Sequence, residues 1–159
     1  MYEFSIDTSS KPDLYRDLLA ALDALTASEP DPVANMANAA ALIWEYLPAL
    51  NWAGFYRLID GELVLGPFQG KVACIRISLG KGVCGTAAST LKTQLVADVH
   101  AFPGHITCDA ASASELVVPI LQDGRLIAVL DLDSPETGRF DEQDAVGCEA
   151  ISALLSGRI

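Results

Sequence analysis

The chain has 159 residues, which is enough for one domain with a substantial hydrophobic core. Apolar residues make up 51% of the chain and charged residues 19%, a balance typical of a globular protein and not of a disordered one. The net charge of −11 argues against a nucleic-acid partner, because phosphate backbones are bound by clustered Lys and Arg. Neither a secretory signal nor an apolar run of roughly 20 residues is present, so we expect a cytoplasmic protein that does not bind membranes.

The N-terminal part, residues 1–49, is predicted to be helical. Ser10 can cap a first helix that begins near Pro12, and a second helix follows Asp31-Pro32. Apolar residues recur at helical spacing in both segments, and Pro48 ends the second. The sequence therefore places two amphipathic helices before any strand.

The remainder, residues 51–159, is predicted to form a sheet followed by a helix. Asp60-Gly61 and Asp123-Gly124 are turn signals that separate alternating segments and predict two β-hairpins. Asp141, followed by Asp144 and preceded by Phe140, marks the start of the last helix. We expect one α+β domain with an antiparallel central sheet. The predicted strands are 52–59, 62–65, 73–77, 93–98, 116–121 and 126–132, with a short helix at 86–91 and a polar loop at 99–114.

A glycine-rich segment at 66–85 contains two of the four cysteines, Cys74 and Cys84. Glycine permits close backbone approach, and the N–H groups of a helix that starts near Val83 could hold an anion such as a carboxylate. A tight connection between strand and helix would also account for these glycines. No C-x-x-C pair is present among Cys74, Cys84, Cys108 and Cys148, so zinc-ribbon and thioredoxin-type motifs are absent.

The loop at 98–109 places His100, His105 and Cys108 within nine residues. One interpretation is a metal site, because His and Cys are zinc ligands, although the spacing matches no common zinc finger. A second is a reactive Cys108 whose thiolate is supported by nearby donors. The third, an inert buried cysteine, fits a polar loop poorly.

Three carboxylates, Glu115, Asp131 and Asp133, lie near the ends of apolar strands. Alternation puts Asp131 and Asp133 on one face, and buried carboxylates without a partner are costly. Solvation at a strand tip could account for one of the three. We interpret Asp131 and Asp133 together as the lining of a polar cavity, where crowded like charges raise a pKa and leave an acid able to donate a proton. Trp52 and Tyr56 share one face of the first strand. They could be core residues, or they could form the wall of a small apolar pocket beside the acids.

Six sequence blocks, in this order along residues 51–144, resemble the free methionine-(R)-sulfoxide reductases, which are stand-alone GAF-domain proteins. The resemblance implies a GAF-like α+β fold whose N-terminal and C-terminal helices pack on one face of the sheet, with an active-site loop region on the other. The blocks are Asn51-Trp-Ala-Gly-Phe-Tyr56, Gly66-Pro-Phe-Gln-Gly-Lys71, Gly80-Lys-Gly-Val-Cys-Gly-Thr-Ala87, Asp98-Val-His-Ala-Phe-Pro-Gly-His105, Cys108-Asp109 and Ser114-Glu-Leu-Val-Val-Pro119.

The same resemblance implies a thiol mechanism. Cys108 matches the nucleophile and Cys74 its disulfide partner, while Cys84 stays open for either role. Cys148 falls outside the pattern and is expected in the helix core. The thiolate attacks the sulfoxide sulfur, the resulting sulfenic acid condenses to a disulfide, and an external dithiol such as thioredoxin reduces it. No metal or other cofactor is expected.

The resemblance also assigns substrate contacts to the carboxylates Glu115, Asp131 and Asp133 and the methyl end of the substrate to Trp52 and Tyr56. The alternative is a non-catalytic GAF sensor that binds a small ligand such as a cyclic nucleotide; a simple binding pocket, however, has no need of two thiols. GAF domains often pair through their helices, so a homodimer is a further prediction.

Overall fold

The computed structural model describes residues 3–104 and 111–159. Over these residues the chain forms four α-helices, six strands and one turn of 3₁₀-helix. The helices are α1 (Lys11–Thr26), α2 (Pro32–Tyr46), α3 (Gly82–Thr90) and α4 (Glu142–Leu155). The strands are β1 (Trp52–Ile59), β2 (Glu62–Gly70), β3 (Arg76–Ser78), β4 (Gln94–Val96), β5 (Ser114–Gln122) and β6 (Arg125–Ser134), and the 3₁₀ turn is Val99–Ala101.

Side chains cap the three longer helices where the sequence predicts. Ser10 accepts a hydrogen bond from the Asp13 backbone N–H, and Asp31 accepts one from that of Ala34. Asp141 and Asp144 form a reciprocal capping box at the start of α4. Each cap satisfies backbone donors that the first helical turn leaves without a partner.

The six strands form one antiparallel sheet in the order β3-β2-β1-β6-β5-β4. Two tight turns make the hairpins β1–β2 and β5–β6, and at each turn both the Asp and the following Gly have positive φ. That geometry is the reason for Asp-Gly at these positions, because it matches the twist of the paired strands. The hairpins join through β1 and β6, which are far apart in the sequence.

The two faces of the sheet bury different sets of residues. One face packs against α1, α2 and α4 in a large apolar core that includes Phe55, Leu116, Leu130 and Leu132. The opposite face packs against α3 and the segments before it in a smaller cluster, which includes Trp52, Tyr56 and Cys84. This arrangement confirms the GAF-like fold class predicted from the sequence.

The strand and helix ends differ most from the predicted ones in β2, α3 and β3. β2 continues to Gly70 and not to residue 65, because an irregularity opposite Phe55 accommodates Gly66 and Pro67 within the strand. α3 begins at Gly82, four residues before the predicted start, since its glycines mask the helical pattern. β3 comprises residues 76–78 and not 73–77. No helix in the described ranges is long and apolar enough to cross a membrane.

Candidate active site

The strand register brings four of the predicted substrate-binding residues into adjacent positions. Asp133 of β6 lies directly opposite Trp52 of β1 on one side and Glu115 of β5 on the other. Asp131 lies two residues earlier on β6, on the same face and opposite Gly54. Because paired residues in an antiparallel sheet share a face, the three carboxylates and Trp52 converge on one side.

These side chains line a narrow cleft that holds about 530 Å³ of empty space, including its mouth. All five predicted substrate-binding residues, and Cys84 among the predicted cysteines, are part of the lining. The lining consists of Trp52, Tyr56, Val72, Ala73, Ile77, Lys81, Gly82, Val83, Cys84, Ser112, Glu115, Asp131 and Asp133.

Three stacked aromatic rings form one wall. The Trp52 ring lies 5.7 Å from that of Tyr56 and 5.1 Å from that of Phe68, measured between centroids. The Tyr56 hydroxyl donates to the Cys74 carbonyl at 3.0 Å, and Trp52 Nε1 donates to the Lys71 carbonyl at 3.2 Å. Both aromatic residues thus use their polar ends to hold the β2–β3 loop, which leaves ring surface for an apolar ligand group.

Cys84, Glu115 and Asp131 form a buried cluster at the base of the cleft. One ligating atom from each lies within 4.8 Å of the others, and Cys84 Sγ lies 3.9 Å from Glu115 Oε1. Glu115 is 7% exposed and Asp131 is 5% exposed. Among the described residues, Asp131 Oδ1 has no hydrogen-bond partner. A ligand donor in the cleft could satisfy this oxygen, whose burial is otherwise costly.

Burial shifts the titration of all three groups toward their neutral forms. It raises the pKa of Asp131 to about 7, against a smaller opposing effect of hydrogen bonds from Cys84 and Glu115. Burial and the neighbouring charges of Asp131 and Asp133 raise the pKa of Glu115 well above its usual range. Burial, followed by the charges of Asp131 and Glu115, raises the pKa of the Cys84 thiol. The cluster therefore retains a proton near neutral pH and can donate it.

The first turn of α3 closes the cleft on another side. Lys81, Gly82 and Val83 line it, and the helix has no side-chain cap. Its backbone N–H groups can bind an anion, as the sequence predicts. Gly85 lets this turn approach β3, because a Cβ there would lie 2.5 Å from the Ser78 carbonyl oxygen.

Sequence reasoning missed two polar residues of the cleft. Lys81 supplies a cation beside the α3 N-terminus, and its position within the Gly80–Ala87 block is a signal that could have identified it. Ser112 is buried and accepts a hydrogen bond from Asn51 Nδ2 at 3.1 Å. Ser112 follows the polar loop, and nothing in its local sequence distinguishes it.

The cysteines have different environments. Cys74 is half-buried and disulfide-bonded, whereas Cys84 and Cys148 are buried free thiols. Cys148 lies in the apolar core on α4, with its Sγ 3.9 Å from the Tyr15 hydroxyl, which confirms its predicted place in the helix core. Cys108, the predicted nucleophile, lies outside the described residues.

Two groups of residues bear on metal binding. The sulfur and two carboxylates of Cys84, Glu115 and Asp131 are chemically able to ligate a cation. The other group is the predicted alternative of His100, His105 and Cys108. His100 is exposed and its backbone N–H donates to Asp98 Oδ1, while the other two residues lie outside the described ranges, so that alternative stays a hypothesis.

Known proteins share this sequence and fold over nearly their whole length. The GAF domain family profile matches residues 34–156. Free methionine-R-sulfoxide reductase of Escherichia coli K12 is 50% identical over 146 residues, which are 92% of this chain and 88% of that protein.

Solved structures extend the likeness to the backbone. The free methionine-R-sulfoxide reductase from Neisseria meningitidis, in complex with its substrate, superposes with a TM-score of 0.95 at 44% identity and covers 99% of this chain and 95% of that one. A candidate GAF sensor protein from Burkholderia vietnamiensis gives 0.92 at 57% identity, covering 94% and 96%. Every residue that lines the cleft lies within the matched GAF segment.

Proposed function

Because the chain belongs to the free methionine-(R)-sulfoxide reductase family of GAF-domain proteins, we propose that it reduces free methionine-(R)-sulfoxide to methionine in the cleft between β1, β6 and α3. The observation that carries the proposal is the pair of buried acids, Glu115 and Asp131, whose pKa values burial raises and which lie beside an aromatic wall. A sulfoxide sulfur becomes electrophilic when its oxygen is protonated or hydrogen-bonded, and these acids supply that proton.

The binding pose follows from the chemistry of the lining. The methyl end of the substrate packs on Trp52 and Tyr56, and the sulfoxide oxygen accepts a hydrogen bond from the Glu115–Asp131 pair. Asp133, which is less buried than these two, binds the ammonium group. The first-turn amides of α3, assisted by Lys81, bind the carboxylate. In this pose the ammonium group meets a carboxylate, the carboxylate meets N–H donors and a cation, and the sulfoxide oxygen meets a hydrogen-bond donor.

The thiol steps run through Cys108 and Cys74. The Cys108 thiolate attacks the sulfoxide sulfur, the oxygen passes to the cysteine as sulfenic acid, and the thioether is released. The Cys74 thiol then displaces water from the sulfenic acid, which forms a disulfide. The disulfide state of Cys74 supports its role, and the raised pKa of buried Cys84 disfavours that thiol as the nucleophile. Cys84 remains the reserve for resolving the sulfenic acid.

The recycling partner is an external dithiol protein of the thioredoxin kind, and the enzyme works in the cytoplasm as a homodimer without a resident metal. Three measurements test these points. Elemental analysis is expected to find no stoichiometric zinc, sedimentation is expected to give twice the mass of the chain, and an NADPH-coupled thioredoxin assay is expected to support turnover.

The central experiment compares three substrates in that coupled assay: free methionine-(R)-sulfoxide, the free S-epimer and a peptide-bound sulfoxide. Only the first should turn over. Cys108→Ser should abolish turnover, and Cys148→Ser, which alters a thiol in the helix core, is the matched control. Turnover of the peptide or the S-epimer would refute the substrate assignment, and full activity of Cys108→Ser would refute the mechanism.

A non-catalytic sensor remains the second candidate, since the Burkholderia protein of similar fold is described in those terms. The two functions differ in one result. A sensor would bind a small ligand in the cleft stoichiometrically and leave every sulfoxide unchanged in the presence of reductant.

A further inference from the structure

The loop between β2 and β3 carries two strongly exposed aliphatic side chains on either side of the disulfide-bonded Cys74. Val72 is 90% exposed and Ile75 is 70% exposed, the two highest values among the large hydrophobic residues of the described chain. Single exposed hydrophobics are common on protein surfaces, but here two flank a redox-active group. We call residues 71–76 the disulfide rim.

The backbone of the rim is held in place at three points. Trp52 Nε1 donates to the carbonyl of Lys71, the Tyr56 hydroxyl to that of Cys74, and the Leu65 backbone N–H to that of Ile75 at 2.9 Å. The side chains of Val72 and Ile75 nevertheless extend into solvent. The rim therefore presents a preformed apolar surface, which lowers the entropy cost of docking a partner.

The charge of this region is opposite to that of the whole chain. Residues 63–97 contain no Asp or Glu and four cations, in a protein with a net charge of −11. Lys71, Arg76 and Lys81 lie within seven residues of Cys74, and Arg76 also pairs with Glu62 at 3.2 Å. Lys81 lines the cleft together with Val72, and Arg76 adjoins Ile75 in the chain. Cations beside exposed apolar side chains fit a partner whose own contact surface is apolar with acidic residues nearby.

We propose that the disulfide rim is the docking surface for a dithiol protein of the thioredoxin class, which binds Val72 and Ile75 through an apolar patch beside its reactive thiol. The inference rests on the proposed function, because it concerns the recycling of the same disulfide. The incoming thiolate bonds to Cys74 Sγ, and the electron pair of the broken S–S bond leaves with the other cysteine. The second thiol of the partner then releases Cys74, and the partner becomes the disulfide.

The test compares two reductants on Ile75→Ser, a substitution outside the cleft lining. Reduced thioredoxin should reduce the isolated disulfide form of this variant about tenfold more slowly, the loss expected for one buried aliphatic side chain. Dithiothreitol, which needs no docking surface, should reduce it at the wild-type rate. Val146→Ser, at a residue of similar exposure (65%) on α4, is the matched control and should leave both rates unchanged.

Raising the salt concentration should slow reduction by thioredoxin and leave the dithiothreitol rate unchanged, since exposed charges are screened. Equal losses with both reductants, an unchanged thioredoxin rate in Ile75→Ser, or no reduction by thioredoxin at all would each overturn the proposal. Because the rate of disulfide reduction is followed without any sulfoxide, its failure is separable from a failure of the proposed reductase function.

Discussion

The two faces of the central sheet are built from the same strands, yet they hold their buried carboxylates in opposite ways. On the helical face, Asp144 is surrounded by Lys11, Arg139 and Tyr15, whose donor atoms lie 2.6, 3.2 and 2.8 Å from its oxygens. On the cleft face, neither Glu115 nor Asp131 forms a salt bridge with any of the residues that the structure describes, and burial raises the pKa of each. The first arrangement stabilises the fold, whereas the second keeps acids available for chemistry.

The difference follows from alternation along single strands. On β6, Leu130 and Leu132 enter the helical core, while Asp131 and Asp133 face the cleft. On β5, Leu116 faces the helices and Glu115 the cleft. A one-residue change of register would exchange the two sets, so the apolar core fixes the position of the acids.

The largest expected effect comes from removing one acid of the cleft. Asp131→Asn should lower kcat/KM for free methionine-(R)-sulfoxide by at least about 100-fold, the scale of general acid catalysis. Its free energy of unfolding should stay the same or increase, because the burial of an unpaired acid is relieved. Coupled turnover and urea unfolding measure both quantities, and wild-type activity would show that Asp131 has no part in proton donation.

The corresponding experiment on the helical face removes its buried, ion-paired acid. Asp144→Asn should lower the free energy of unfolding by about 3 kcal/mol, because it leaves the buried ends of its partners without a counter-charge. At temperatures where the variant is folded, kcat should match that of the wild type. A loss of activity without a loss of stability would contradict the division of roles between the faces.

The same substitution on the two faces gives a smaller effect. A Cβ at Gly147 would lie 2.2 Å from the Tyr15 ring, and one at Gly54 would lie 2.3 Å from Phe68 Cβ. Both Gly→Ala changes should destabilise by roughly 1–3 kcal/mol through overpacking. Only Gly54→Ala should also raise KM, because Phe68 stacks on Trp52. Gly157→Ala, with no atom near its added Cβ, is the neutral control.

The most gradual effect is a pH dependence of stability. Asp131 has a pKa of about 7 in the folded state, against an ordinary value of 3.8. A raised pKa means that the folded state holds the proton more tightly, so its stabilisation is complete below the ordinary value and is lost as the pH rises toward 7.

The free energy of unfolding should therefore decline across pH 4–7 with a slope of at most about 1.4 kcal/mol per pH unit for this one proton. The difference between the stability profiles of the wild type and of Asp131→Asn gives the contribution of Asp131, separate from the contributions of the other acids. In the coupled assay, kcat/KM should fall above about pH 7 as the donor loses its proton. Parallel stability profiles for the two proteins would show that folding does not raise the pKa of Asp131.

Much of the fold could be predicted because its signals are local. Ser10, Asp31 and Asp141 cap helices at the starts that the sequence predicted, and Asp60-Gly61 and Asp123-Gly124 make both hairpin turns. Alternation also predicted that Asp131 and Asp133 share a face. Such signals depend on a few neighbouring residues, and tertiary contacts do not override them.

The rest depends on contacts distant in sequence. Trp52 and Tyr56 donate hydrogen bonds to the carbonyls of residues 71 and 74, and β3 begins only at Arg76. Nothing in the sequence near β3 indicates these contacts. The β1–β6 pairing joins segments about 80 residues apart along the chain, and no local pattern encodes it. The place of Lys81 in the cleft likewise became apparent only from the approach of α3 to the sheet.

The position of β6 between β1 and β5 has a consequence for biosynthesis and evolution. The halves of the sheet meet only through this strand, which also carries Asp131 and Asp133. A nascent chain cannot assemble the cleft until its last strand has emerged from the ribosome. Mutations in β6 remove architecture and chemistry together, whereas the loop at 71–76 lies outside the strand pairings that join the halves. Exposed Ile75, which lies outside both the cleft lining and these pairings, is therefore free to change without disturbing the assembly of the sheet.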